Sequence, residues 1–249
     1  MFPRRKIEQT WDGQITPFRI IGNVYFCGTY KASCHLIDTG DGLIMIDTGY
    51  FKTVYMVVDS IYKLGFKPED VKYIINTHWH GDHTQGNNAM SHLTGAKTMI
   101  SHYDAELAKT FFEPDLLIKD GDTLTLGNTT LHFMDTPGHT KGTISIFFDT
   151  EENGKTYRVG MFGGAGANTL IQGEMEYPEC REDFRNSVHK LQKEHVDVFI
   201  GNHVWNNDTE NKGKLLLETG ENKFIDDKIW HEFLSFCEKR LDETIAMDK

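Results

Sequence analysis

The chain has 249 residues, 39% of them hydrophobic, enough to bury a substantial core, and no linker-like stretch interrupts it, so residues 1–249 read as a single domain. Lys and Arg total 26 against 37 Asp and Glu; the net charge of −11 repels a phosphate backbone and sets nucleic acid aside as a substrate. No apolar run is long enough to cross a bilayer and none follows the basic opening residues 1–8, so a membrane protein is excluded and a cytoplasmic one expected, or a periplasmic or secreted one if a signal has been trimmed.

Short β-like runs come first, at Arg19 to Ile21, Val24 to Phe26, His35 to Ile37 and Leu43 to Ile46. Turn clusters Gly22-Asn23, Gly28 to Lys31 and Thr39 to Gly42 separate them, which predicts an antiparallel meander. Val54, Val57, Val58 and Ile61 recur at helical spacing, and Val71 to Asn76 reads as a buried strand. In the second half, strands are predicted at Thr123 to Leu126, Thr129 to Met134, Ile144 to Phe148 and Tyr157 to Phe162, with Asn153-Gly154 as a tight turn. Phe184, Val188 and Leu191 mark an amphipathic helix, Val196 to Ile200 another buried strand, and the stripe from Lys223 through Leu241 a C-terminal packing helix. Two strand groups, each with helices on one side, give an α+β fold: an αββα sandwich of two mixed sheets with helices on the outer faces. The widely spaced Cys27, Cys34, Cys180 and Cys237 form no Cys-x-x-Cys pair, which argues for buried thiols and against a zinc ribbon or disulfide framework.

The chemistry concentrates in Thr77-His78-Trp79-His80-Gly81-Asp82-His83, where three imidazoles and one carboxylate fall within six positions at the end of an apolar strand. His78 and His80, two apart on the strand end, project to one side and can share an ion; Asp82 and His83, past the turn at Gly81, can face a second. Four such donors cannot all reach one tetrahedral zinc, so the motif implies either a spare residue or two ions. His139 in Thr136-Pro137-Gly138-His139-Thr140 and His203 in Gly201-Asn202-His203 occupy the strand-terminal contexts where sites are built. Asp47 in Ile46-Asp47-Thr48-Gly49 is either a carboxylate supporting a ligand histidine from behind or a turn residue closing the strand. Trp79, between two donors, faces away from them and packs on the core. His35, His92, His102, His132, His189, His195 and His231 lack any partner motif and are read as structural or solvated.

His-x-His-x-Asp-His, the later Pro-Gly-His-Thr and a final histidine, in this order, resemble the metallo-β-lactamase-fold superfamily. The resemblance implies one zinc on His78, His80 and His139, a second on Asp82, His83 and His203, and a metal-held hydroxide between them as the nucleophile. Asp82 is then both ligand and orienter of that hydroxide, the catalytic side chain of the set. Between His139 and His203 the strand Arg158 to Phe162 runs into Gly163 to Asn168 and offers neither the Asp of glyoxalase II and the tRNA 3′-end nucleases nor the Cys of one β-lactamase subclass. The five-histidine, one-aspartate set is most similar to the third subclass of metallo-β-lactamases, which implies zinc-dependent opening of a cyclic amide, a β-lactam. One departure keeps lactones, thioesters and other small esters open: that subclass commonly has a serine where this chain has Gly163 to Asn168. By the same resemblance Tyr30, with Lys31, overhangs the metals; Asn168 and Trp205 are the remaining substrate-contact candidates. The partner expected is a small-molecule substrate.

Overall fold

The computed structural model describes residues 4–248; Met1 to Pro3, within the basic opening run, and Lys249 lie outside the described residues. The first sheet holds β1 (Phe18–Ile21), β2 (Val24–Phe26), β3 (His35–Asp38), β4 (Leu43–Ile46), β5 (Val71–Ile75), β6 (Lys97–Ser101) and β7 (Leu116–Ile118), side by side in chain order. β1 to β4 form the predicted antiparallel meander, and β4 to β7 run parallel. The second sheet, in the order β12-β11-β10-β9-β8, is built from β8 (Thr123–Leu126), β9 (Thr129–Asp135), β10 (Ile144–Glu152), β11 (Lys155–Phe162) and β12 (Val198–Phe199). It is antiparallel except that β12 lies parallel to β11. Both sheets are therefore mixed, and the fold is the expected α+β sandwich.

The helices are α1 (Val54–Lys63), α2 (Gly81–Thr84), α3 (Asn87–Thr94), α4 (Ala105–Ala108), α5 (Cys180–Leu191), α6 (Val204–Asn207), α7 (Thr209–Thr219) and α8 (Ile229–Ala246). Strand periodicity sorts their partners, because successive side chains point to opposite faces. Ile44 and Ile46 of β4 join Ile146 and Phe148 of β10 in the core between the sheets. Leu43 and Met45 of the same strand face outward onto Val57 and Ile61 of α1, and Phe147 of β10 faces outward onto α5 and α8 through Val188, Leu191 and Trp230. A strand buried on both faces has no polar side to show, which is why β4 reads as an unbroken apolar run.

Four local expectations are corrected. The strand predicted over Val196 to Ile200 is ladder-paired only at Val198–Phe199. The C-terminal helix begins at Ile229; residues 223–228 are not helical, Phe224 is buried between the sheets and Ile225 bridges Val198. β6, β7, α3 and α7 carried too little periodic signal to be expected: β7 is three residues long, and the faces of α3 and α7 are weakly apolar. Lastly, β5 ends at Ile75, so His78 and His80 sit on the loop beyond the strand instead of on its last residues.

This topology brings several strand ends to one edge of the sandwich. Ile144 N donates to Thr77 O across the sheets at 3.0 Å, and Asn202 Nδ2 donates to Gly163 O at 2.6 Å. The ends of β4, β5, β11 and β12 and the turn between β9 and β10 therefore meet in one place.

Candidate metal centre

His78 and His80 follow β5, Asp82 and His83 occupy the first turn of α2, His139 lies in the 136–143 turn, and His203 directly precedes α6. The tertiary fold brings all six together in two overlapping groups. Donor atoms of His78, His80 and His139 lie within 4.8 Å of one another, as do those of His78, Asp82 and His83. His203 joins the second group through Asp82, whose Oδ2 is 3.7 Å from His203 Nε2 and 3.5 Å from His83 Nε2. His78 is common to both groups, and its ring lies 4.2 Å from that of His83.

The far side of each ring is tied down, and the ties fix which nitrogen faces inward. Asp47 accepts from His83 Nδ1 at 2.7 Å, from Thr77 N at 2.8 Å and from Thr77 Oγ1 at 2.9 Å. With its proton so used, Thr77 Oγ1 is left to accept from His78 Nδ1 at 3.1 Å. Gly166 O accepts from His139 Nδ1 at 2.8 Å, Lys31 O from His203 Nδ1 at 2.7 Å, and Glu176 Oε1 from His80 Nε2 at 2.7 Å. The inward atoms are then His78 Nε2, His83 Nε2, His139 Nε2, His203 Nε2 and His80 Nδ1. Of these, His78 Nε2 and His83 Nε2 are buried without a hydrogen-bond partner, while His80 Nδ1 and His139 Nε2 face each other at 3.0 Å with no proton donor between them. Buried bare nitrogens directed at one another are costly unless a cation lies among them.

Electrostatics keep three of the rings ready to bind. Burial, with the neighbouring imidazoles, holds His78 well below the ordinary histidine range; burial first and His80 next bring His139 to about 3, and burial with His83 brings His203 to about 4. All three are neutral at pH 7, with lone pairs available. Burial would raise Asp82, but His83 and His203 outweigh it and the carboxyl is lowered. Burial would likewise lower His83, yet the carboxylates Asp82 and Asp47 on either side raise it. These donors fit a cationic metal pair, and neither thiol nor further carboxylate is needed.

Asp47 is 1% exposed and adopts a left-handed backbone, φ 57°, uncommon for a non-glycine residue. It turns the chain out of β4 and places its carboxylate against Thr77 and His83. Trp79 packs against the small cluster of Ile100, Ala105, Ala108 and Phe112 as expected, but its ring also lies 4.9 Å from that of His80, so it does not face away from the donors entirely.

Asp104 was not legible as a site residue. It is fully buried, accepting from Trp79 N at 3.0 Å, Thr140 Oγ1 at 2.8 Å and Gly142 N at 2.7 Å, and so clamps the loop of His80 to the turn of His139. Burial raises its carboxyl to about 6 against the hydrogen bonds it accepts. The glycines of the 163–168 segment have a related cause. A Cβ on Gly164 would lie 2.9 Å from His139 Cβ, and one on Gly166 would meet Asn168 Oδ1 at 2.6 Å and His139 Cε1 at 3.0 Å. The backbone here packs directly against a donor ring, and side chains are excluded.

The groups open into a cavity of about 650 Å³. Tyr30, Asn168 and Trp205 all line it. The Tyr30 ring is 5% exposed and its hydroxyl accepts from Arg5 N; Trp205 stacks on His203 at 4.4 Å and 9°. Arg4, Arg5, Lys31 and Arg240 also line it, against Asp82 as the one carboxylate among its described lining residues. Four cations on one cavity stand out in a chain of net charge −11. Arg5 also pairs with Glu210 at 3.0 Å, and Arg240 with Glu243 at 3.3 Å. The stripe of α8 was expected only to pack; Phe233, Cys237 and Leu241 do so, while Phe236 of the stripe reaches the cavity, beside Arg240 of the same helix and Met247 just past its end.

The sequence profile of the metallo-beta-lactamase superfamily matches residues 27–152, half of the chain. The chain belongs to the metallo-β-lactamase superfamily. Superfamily members of known structure share its fold almost end to end. The FEZ-1 metallo-β-lactamase from Legionella gormanii is 30% identical with a TM-score of 0.87, over 94% of this chain and 96% of that one. The subclass B3 metallo-β-lactamase BJP-1 of Bradyrhizobium japonicum is 28% identical with a TM-score of 0.89, over 96% and 97%. Among curated relatives, an N-acyl homoserine lactonase of Bacillus cereus is 30% identical over 150 residues, 49% of this chain. The chain spans about three fifths, 59%, of that relative's length. No helix among the described residues is long and apolar enough to cross a membrane.

Proposed function

We propose that the chain is a two-zinc hydrolase that opens β-lactam rings. The observation that carries the reading is the donor set: five inward ring nitrogens and one carboxylate oxygen, two of the nitrogens buried and unpartnered, at the floor of a cavity sized for a small molecule. His78, His80 and His139 would hold one zinc, and Asp82, His83 and His203 the other. Zinc in such a set acts as a Lewis acid and brings the pKa of water toward ~7, which supplies a nucleophile at neutral pH.

The chain's own residues supply the rest. Asp82 lines the cavity and holds the attacking water in line. Asp47, through His83 and Thr77, fixes the rings that face the reaction. Lys31 and Arg240 attract a substrate carboxylate, and Trp205 and Phe236 cover its apolar parts. Whole-chain likeness to B3 enzymes, against half-chain likeness to the lactonases, supports the β-lactam reading.

A lactone-opening activity is the second reading. It is favoured by the lactonase relatives and by the 163–168 segment, whose neighbouring hydroxyl, Thr169 Oγ1, is committed to His139 O at 2.8 Å. Steady-state assays of the zinc-loaded protein on nitrocefin, a carbapenem and an N-acyl homoserine lactone separate the two. Chelator-sensitive β-lactam turnover is expected; full zinc loading with lactone turnover alone would replace the first reading by the second.

A further inference from the structure

Each inward ring nitrogen depends on what grips the ring from behind, and the five grips are not alike. Thr77 Oγ1 backs His78, Lys31 O backs His203, and Gly166 O backs His139. Only two rings are backed by carboxylates, one in each donor group: His83 by Asp47 and His80 by Glu176. A carboxylate behind an imidazole orients the ring and also makes its opposite nitrogen a stronger donor. Asp47 is buried directly after β4. Glu176 sits on the segment between β11 and α5, yet its side chain is only 23% exposed because the carboxylate turns inward. It makes two contacts there: Oε1 accepts from His80 Nε2 at 2.7 Å and Oε2 from Trp79 Nε1 at 3.3 Å. A surface ion pair of one contact fixes little, but a carboxylate held by two fixed ring donors has its orientation set. The same segment carries Gly166 O and Thr169 Oγ1, both within hydrogen-bond reach of His139 Nδ1. Residues 163–179 thus back two of the three donors of the first group.

We infer that Glu176 is a positioning residue for the first metal, acting through His80 with Trp79 as its second anchor, and that the seating of this segment sets the affinity of that site. The inference rests on the two-metal reading above. Glu176 is not among the described residues that line the cavity, and its bond is to the outward nitrogen of His80; it works from behind the ring.

The test is zinc affinity measured by competition with a chromophoric chelator, on wild type and on Glu176→Ala and Glu176→Gln. Each is repeated in a His203→Ala background, which removes a donor from the second group and leaves the first-group step to be read alone. Glu176→Ala is expected to weaken that step about 10- to 100-fold. Glu176→Gln, which keeps an oxygen acceptor and loses the charge, should fall between Ala and wild type. The second-group step and the apoprotein's thermal midpoint should stay as in wild type. Wild-type affinity in both Glu176 variants overturns the inference while leaving the two-metal reading intact. Equal weakening of both steps with a lowered apoprotein midpoint also overturns it, by making Glu176 a support of the fold. A wild type that binds no zinc overturns the two-metal reading and this inference with it.

Discussion

His35 is 1% exposed on β3, and neither ring nitrogen has a partner; neither does Ser33 Oγ nearby in sequence. Burial alone lowers its pKa from 6.5 to about 3, so the folded ring stays neutral while the unfolded chain takes up a proton below 6.5. The sign follows: stability unaffected by His35 above pH 6.5 is lost as the pH falls toward 3, by about 1.4 kcal/mol per unit. Urea unfolding of His35→Leu at several pH values between 6 and 4 should give a slope shallower by that amount; an unchanged slope would show that His35 takes no part. Asp104 is the opposite case, a buried polar group with every bond made. Asp104→Ala strands the donors Trp79 N and Gly142 N, each unmet donor costing ~1–3 kcal/mol, and leaves Thr140 Oγ1 with Thr143 Oγ1 at 2.9 Å as its partner. A drop of at least about 2 kcal/mol in chemical denaturation is expected, together with looser zinc binding by the His80 and His139 pair. Stability within 1 kcal/mol of wild type would refute the clamp. None of this was legible locally, since Asp104 is 25 residues from Trp79 and 36 from Thr140 in sequence.

At the scale of elements, α8 works on two faces. Leu241 is buried against α5 and the outer face of the second sheet, so Leu241→Ala should destabilise by ~2–5 kcal/mol, read from the denaturation midpoint, with little effect on KM. Arg240, one residue earlier, faces the cavity. Arg240→Gln combined with Lys31→Gln is expected to raise KM about tenfold for substrates bearing a carboxylate, with kcat nearly unchanged. A neutral ester or lactone should be unaffected, and equal effects on both substrates would refute a carboxylate grip. Helical periodicity disclosed the packing face of α8 but not the cavity face, because an exposed arginine carries no periodic signal.

For the whole molecule, a metal pair that binds the fold and not the unfolded chain stabilises it by mass action. Stripping zinc with a chelator should lower the thermal midpoint, and zinc at about 100 times its Kd should restore about 2.7 kcal/mol. Identical midpoints with and without zinc would count against a built site. The alternation that sorts Ile44 and Ile46 from Leu43 and Met45 made the two-sheet sandwich readable, since burial on both faces leaves its mark in composition. The His78 to His83 cluster was readable for the same kind of reason: four donors within six residues form a local pattern. His139 and His203 were candidates by context, but their convergence on it depends on strand ends meeting across two sheets. Glu176, Asp104 and the gathering of Arg4, Arg5 and Arg240 beside Lys31 came from the tertiary structure alone. They act through contacts between residues far apart in the chain, and such contacts leave no spacing for a sequence to display. The sequence by itself determined the donors and the layers; the fold decided which nitrogen of each ring faces inward, what grips it from behind, and what charge surrounds the cavity above.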